Sequence, residues 1–100
     1  MGWAKDAADQ LAETGRAVVR PLGGSMRGRI ESGQQVTLEP VTFEELSVGD
    51  AVFLKWKSGY LLHLVKKIDG KRVLIGNNVG KINGWVNVED VLARVTDISD

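Results

Sequence analysis

Apolar residues recur along this chain in two different rhythms, helical near the start and strand-like after it. Between residues 3 and 13, Trp3, Ala7 and Leu11 line one stripe while charged residues occupy the other positions, which predicts an amphipathic helix. Gly15 then supplies the helix stop. We expect the stripe to pack on the domain's own sheet, because packing sustains most short helices. Docking of the stripe on a membrane face or a partner protein is the alternative.

The remainder of the chain is typical of short strands joined by glycine-containing turns. Strands are predicted at residues 17–19, 35–40, 51–57, 60–68, 71–75 and 91–98, the last closing the sheet, with tight turns at Gly49-Asp50, Ser58-Gly59 and Asp69-Gly70. Thr42 and Glu45 have the spacing of a capping box, and a polar loop follows at 77–84. This pattern predicts a mainly β fold, an antiparallel β-rich α+β domain with one short helix. One domain is expected to span the whole chain, with residues 1–15 packed on it.

Composition narrows the classes of function. The chain carries 13 basic and 13 acidic side chains, so no general attraction to nucleic acid or anionic lipid is expected. The absence of cysteine excludes disulfides and thiol catalysis, and a single histidine argues against a zinc site, so no metal or other cofactor is expected. No apolar run approaches the roughly 20 residues that span a bilayer, and the charged N-terminus is unlike a signal peptide. We expect a soluble, cytoplasmic protein without a membrane span.

Two residues have the chemistry of a nucleophile and its base. Ser25 follows two glycines, which permit a sharp turn and the close approach of a substrate backbone. A serine hydroxyl attacks a carbonyl only when a base takes its proton, and His63 is the one imidazole in the chain. Alternation along the strand places His63 on one face with Leu61, Val65 and Lys67. From the residues alone, a buried structural histidine that bonds a backbone carbonyl is the alternative.

The order of these motifs supports the catalytic alternative. Ser25-Met26, Gly49-Asp50, His63 and Gly76-Asn77-Asn78 follow one another at plausible spacing. Over residues 15–98 the succession resembles the serine peptidases of the type I signal peptidase and LexA-like self-cleaving repressor superfamily. The resemblance implies that Ser25 is the nucleophile and that His63 is the general base, where relatives carry lysine or histidine.

The resemblance also identifies supporting residues and departures. Asn78 and Gly24 are candidate orienting or oxyanion groups, and Lys67 is the fallback base. Relatives have proline where this chain has Gly28, and aspartate where it has Gln34. Histidine-type relatives carry an aspartate in or just after the loop at Gly76-Asn77-Asn78, where this chain has asparagines. Asparagine can orient an imidazole but does not stabilise imidazolium by charge.

Three functions are therefore expected as alternatives. The first is a soluble serine peptidase that cleaves a peptide or protein, including this chain itself, with the substrate added as an extended strand at a sheet edge. The second is an inactive or weakly active peptide-binding module of the same fold. The third is the dimerisation domain of a repressor-like protein, acting as a homodimer. Direct nucleic-acid binding is not expected, because the sequence has no basic face.

Overall fold

Seven antiparallel strands and one helix make up most of the computed structural model, which describes residues 2–100. The elements are α1 (Trp3–Thr14), β1 (Ala17–Val19), β2 (Gln35–Glu39), β3 (Ala51–Trp56), β4 (Gly59–Asp69), β5 (Arg72–Gly76), β6 (Ile82–Asn87) and β7 (Val91–Ser99), with 3-10 helices at Phe43–Glu45 and Val88–Asp90. The strands form one sheet in the order β1-β2-β7-β3-β4-β5-β6. The predicted mainly β fold is confirmed. Among residues 2–100 no helix has the length and apolarity needed to cross a bilayer.

Helix α1 packs on the sheet through its apolar stripe, as predicted. Ala7 is fully buried, and Trp3 and Leu11 pack against the same core. The ring centroids of Trp3 and Phe53 are 6.1 Å apart. Gly15 ends the helix in a left-handed conformation (φ +79°) and donates its N–H to the Leu11 carbonyl. The glycine that ends the helix and the packing of its apolar stripe on the sheet are therefore both as predicted.

Strand register differs from the prediction at both hairpins. The β3–β4 turn lies at Lys57-Ser58, one residue earlier than the predicted Ser58-Gly59, with Lys57 at φ +54°. The β4–β5 turn lies at Gly70-Lys71, one residue later than predicted. Two-residue hairpin loops favour positive φ, but cross-strand packing of the apolar faces decides which residues occupy the loop.

The last two strands also differ from their predicted positions. Strand β6 begins at Ile82, inside the segment predicted as a polar loop. Strand β7 lies in the middle of the sheet, between β2 and β3, rather than closing it at an edge. The C-terminal strand therefore joins the N-terminal part of the sheet to the β3–β4 hairpin.

Each face of the sheet carries its own apolar core. The helix-side core contains Ala7, Ala17, Val19, Met26, Ile30, Val36, Leu38, Ala51, Phe53, Leu62, Leu64 and Ala93. The opposite core contains Leu46, Val52, Leu54, Val65, Val73, Ile75, Val86 and Val91. Consecutive residues of β3 and β4 alternate between the two cores, as pleated strands require. Both faces of β4 are consequently buried near its centre.

Candidate active site

Ser25 stands at the start of a tight turn whose apolar residues point inward. Met26 and Ile30 are buried in the helix-side core, whereas Ser25 is exposed. The Arg27 N–H donates to the Gly24 carbonyl (3.2 Å), and the Ile30 N–H donates to the Met26 carbonyl (2.8 Å). Buried side chains on one side and backbone hydrogen bonds within the turn leave the Ser25 hydroxyl facing outward.

The turn is attached to the loop between β5 and β6 by Asn78. The Asn78 backbone N–H donates to the Ser25 carbonyl (3.0 Å), and its side-chain Nδ2 donates to the Arg27 carbonyl (2.8 Å). Gly28 has φ +97°, and a Cβ on it would lie 2.8 Å from Asn78 Nδ2. Proline cannot adopt this φ. The departure from the proline of the resembled family therefore has a physical reason, since Gly28 makes room for Asn78.

The neighbouring Asn77 shapes the loop that carries Asn78. Asn77 is 5% exposed, and its Oδ1 accepts the N–H groups of Val79 (3.0 Å) and Lys81 (2.9 Å). Its own N–H donates to the Lys81 carbonyl (2.8 Å). Within residues 2–100, the hydrogen bonds of both asparagines go to this loop and to the Ser25 turn, and none goes to the His63 ring.

His63 is buried in the centre of β4, 7% exposed, and its Nδ1 lies 2.6 Å from the Leu62 carbonyl oxygen. A carbonyl oxygen only accepts, so Nδ1 carries the hydrogen and the Nε2 lone pair is free to take a proton. Burial lowers the pKa of His63, the bond to Leu62 opposes this, and the charge of Lys81 lowers the pKa further. The ring is therefore neutral at pH 7. The burial of the ring and its bond to a backbone carbonyl are what the structural alternative for His63 predicted, whereas the resemblance had pointed to Asn78 as the orienting group.

Ser25 and His63 lie on different sides of β4. His63 pairs with Val52, a residue of the opposite core, whereas the Ser25 turn packs into the helix-side core. A small cavity of about 30 Å³ beside Ser25 is lined by Leu62 but not by His63. No hydrogen bond joins the Ser25 hydroxyl to the His63 ring within the part of the chain that the structure describes. The two residues share one neighbour, the loop at 77–81.

Strand pairing explains how one loop borders both residues. Leu64 pairs with Gly76 at the end of β5, so His63 lies next to the point where the loop at 77–81 begins. Lys81 at the other end of this loop acts on the His63 ring by its charge. From the same loop, Asn78 holds the Ser25 turn.

Lys67, the fallback base, is exposed and lies on the other side of the sheet from His63. A β-bulge between Val65 and Lys67 leaves Lys66 unpaired and shifts the alternation by one residue. Lys67 therefore pairs with Leu74, while Val65 pairs with Ile75 of the opposite core. The prediction that Lys67 shares the face of His63 is wrong, because a bulge reverses the pleat and leaves no clear mark in the sequence.

Part of the β4 edge beside Ser25 has no neighbouring strand. The Val65 N–H donates to Asp50 of the segment leading into β3, so by alternation Tyr60 and Leu62 direct their N–H and C=O groups away from β3. On that side β5 begins to pair only at Leu64. The backbone groups of Tyr60 and Leu62 have no strand partner there within residues 2–100, and the Leu62 carbonyl contacts only the His63 ring.

A second open segment leads into Gly24 and Ser25 from β1. The Pro21 carbonyl accepts the Gly33 N–H, whereas the N–H and C=O groups of Leu22 make no backbone hydrogen bond within residues 2–100. Pro21, Leu22 and Leu62 all line the cavity beside Ser25. The backbone N–H groups of Gly24 and Ser25 have no acceptor within residues 2–100, which leaves them free to bind an oxyanion.

The edge of β1 itself is closed in a different way. The Val18 N–H donates to Gln10 Oε1 (2.9 Å), and Gln10 Nε2 donates to the Val18 carbonyl (3.3 Å). One side-chain amide thus satisfies the outward backbone groups of this edge strand, which discourages pairing with another chain. Main-chain groups without a strand partner among residues 2–100 therefore remain on the segments that lead toward Ser25 and on the outer edge of β6.

Comparison of the chain with protein-family models, with curated proteins and with solved structures gave no match. Within residues 2–100, no three His, Asp or Glu side chains lie together as ligands for a metal ion.

Proposed function

We propose that this chain is a serine peptidase of the signal peptidase and LexA-like type, which takes an extended peptide along the open edge of β4. The observation that carries the proposal is that β4 has no strand partner at Tyr60 and Leu62 on the side away from β3, and that Leu62 lines the same small cavity as the exposed Ser25. An added strand gains its affinity from such main-chain hydrogen bonds. The cavity holds about two water molecules, so it favours a small side chain next to the scissile bond.

In this mechanism the Ser25 Oγ attacks the peptide carbonyl carbon while His63 Nε2 accepts the hydroxyl proton. The free N–H groups of Gly24 and Ser25 stabilise the oxyanion. The imidazolium returns the proton to the leaving amine, and water then hydrolyses the acyl-enzyme through the same base. The step requires Nε2 and Oγ to come within about 2.6–3.2 Å. Peptide binding along β4 therefore has to bring the Ser25 turn and the His63 ring together.

A second candidate, a peptide-binding module without turnover, is favoured by the separation of Ser25 from His63. The His63 ring bonds the Leu62 carbonyl, and no hydrogen bond links it to the Ser25 hydroxyl within residues 2–100. The open edge would bind a peptide equally well in such a module, because strand addition needs only main-chain groups. Turnover is what separates the two candidates.

The two candidates are distinguished by labelling with a fluorophosphonate probe, read out by mass spectrometry. The peptidase is expected to be labelled at Ser25, and Ser25→Ala is expected to abolish labelling. Ser58→Ala is the matched control, because Ser58 is also an exposed turn serine without a side-chain hydrogen bond. Absence of labelling in the wild type at every pH contradicts the peptidase. If a randomised decapeptide library then slows amide exchange at Tyr60 and Leu62, the chain is a binding module.

A further inference from the structure

Asn78 holds the Ser25 turn from the loop at 77–81 by two hydrogen bonds, and Arg29 of the turn donates its Nη1 to the Gly49 carbonyl (3.0 Å) on another side. Asn78 donates its backbone N–H to the Ser25 carbonyl (3.0 Å) and its side-chain Nδ2 to the Arg27 carbonyl (2.8 Å). Two bonds to carbonyls two residues apart, together with the buried side chains of Met26 and Ile30, restrain both the position and the rotation of the segment that carries the hydroxyl.

The surrounding residues are fitted to this contact. Gly28 is the residue whose missing side chain admits the Asn78 amide, since a Cβ there would lie 2.8 Å from Nδ2. Asn77 bonds the loop at 77–81 to itself on both sides of Asn78. The amide is thus held on a loop that is itself ordered by hydrogen bonds, which is the support that a precisely placed group needs.

We propose that Asn78 is a positioning residue for the nucleophile: it sets where the Ser25 hydroxyl stands relative to the peptide and to His63. This role of Asn78 in the reaction rests on the proposed peptidase function. An amide is required because the Arg27 carbonyl needs a donor. An aspartate of the same shape has no N–H and would place its charge against the carbonyl oxygen. Misplacement of a reacting group by about 1 Å can cost about 100-fold in rate.

The test compares Asn78→Asp and Asn78→Ala with Asn87→Ala, an exposed asparagine on β6. Fluorophosphonate labelling is measured at several probe concentrations, which separates the maximal inactivation rate from the concentration for half saturation. Both Asn78 variants are expected to lower the maximal rate about tenfold or more with half saturation unchanged. The pH midpoint is expected to stay at the wild-type value, because Asn78 does not contact His63. Asn87→Ala should match the wild type.

A second measurement uses the protein without any probe. Amide exchange is measured at residue 78 in the wild type and in Asn78→Ala, because the backbone N–H of this residue bonds the Ser25 carbonyl. If the Asn78 side chain holds the turn, exchange at residue 78 is expected to be faster in Asn78→Ala. Unchanged exchange, or a maximal labelling rate equal to the wild type, overturns the proposal. The proposal is also overturned if thermal unfolding shows that the variants lose labelling only in proportion to their loss of folded protein. If the wild type is not labelled at all, the proposed function fails and the positioning role for catalysis fails with it, while exchange still decides whether Asn78 holds the turn.

Discussion

The Ser25 turn and the strand position of His63 are built in opposite ways. Ser25 is exposed, and its turn is held by two buried side chains below and by Asn78 above. His63 is 7% exposed and is fixed by the β3–β4 ladder and by the cores on both faces of the strand. Ser25 can therefore be displaced by changes in one loop, whereas His63 is displaced only if the sheet itself changes.

This difference determines which of the two candidate residues can move toward the other. The ladder fixes the backbone at His63 while its ring is bonded to the Leu62 carbonyl, and the turn bears most of any adjustment that brings the two side chains together. The loop at 77–81 borders both, because it follows the end of β5 and also bonds the Ser25 turn. Changes in this loop can therefore alter the distance between Ser25 and His63.

The largest expected effect distinguishes the buried His63 from the exposed Lys67 as the candidate base. His63→Gln is expected to lower the rate of fluorophosphonate labelling at Ser25 by about 100-fold or more, because a general base contributes about 10²–10⁴. Lys67→Ala is expected to leave the rate unchanged, since Lys67 is exposed on the other side of the sheet. A labelled His63→Gln together with an unlabelled Lys67→Ala would assign the base to Lys67.

A smaller effect concerns the Ser25 turn and is measured by comparing alanine substitutions of two glycines. Gly33→Ala is expected to lower the free energy of unfolding by about 1 kcal/mol, because a side chain at φ +88° is strained but meets no atom within 4 Å. Gly28→Ala has similar strain and also displaces the Asn78 amide, which adds about 1 kcal/mol for the lost hydrogen bond. Urea unfolding measures both. Equal losses would show that the contact between Gly28 and Asn78 contributes nothing to stability.

The smallest expected effect is the response to pH. The pKa of His63 lies below its ordinary value of 6.5 because the ring is buried, and only the neutral ring accepts a proton. Labelling is therefore expected to rise by less than about twofold above pH 6.5 and to fall by less than about tenfold at pH 5.5. A labelling midpoint above pH 6.5 would contradict the assignment of His63 as the base.

The free energy of unfolding is also expected to decrease as the pH falls. Because the folded pKa of His63 is below the unfolded one, its contribution to the free energy of unfolding is complete above pH 6.5 and is lost as the pH falls toward the folded pKa. Urea unfolding at pH 7.5 and pH 5.5 is expected to show this loss in the wild type and a smaller one in His63→Gln. An equal loss in both proteins would assign the pH dependence to other groups.

Local features were predictable because a few consecutive residues determine them. Gly15 ends α1, and Thr42 with Glu45 forms the predicted capping box, in which the Thr42 N–H donates to Glu45 Oε1 (2.9 Å). The fold class was also predictable, because short apolar runs between turns leave few ways to bury their faces other than an antiparallel sheet. The roles of Ser25 and His63 in catalysis stay a prediction.

Features that depend on distant parts of the chain were missed or misplaced. Both hairpin turns lie one residue away from their predicted positions, and the bulge at Lys66 places Lys67 on the face of the sheet opposite to the predicted one. Asn78 was expected to orient His63 or to bind the oxyanion, but its amide holds a turn 51 residues away in the sequence. The alternative in which His63 bonds a backbone carbonyl was predicted, but which carbonyl it bonds, that of Leu62, was not.

The sequence alone determined the helix, its stop, six of the seven strands and the residues with useful chemistry, because these depend on side chains close together in the chain. The tertiary structure alone decided the central place of β7, the strand register, the side of the sheet that His63 occupies and the attachment of the Ser25 turn. Those features depend on which distant surfaces pack and pair best, and a shift of one residue moves a side chain from one core to the other.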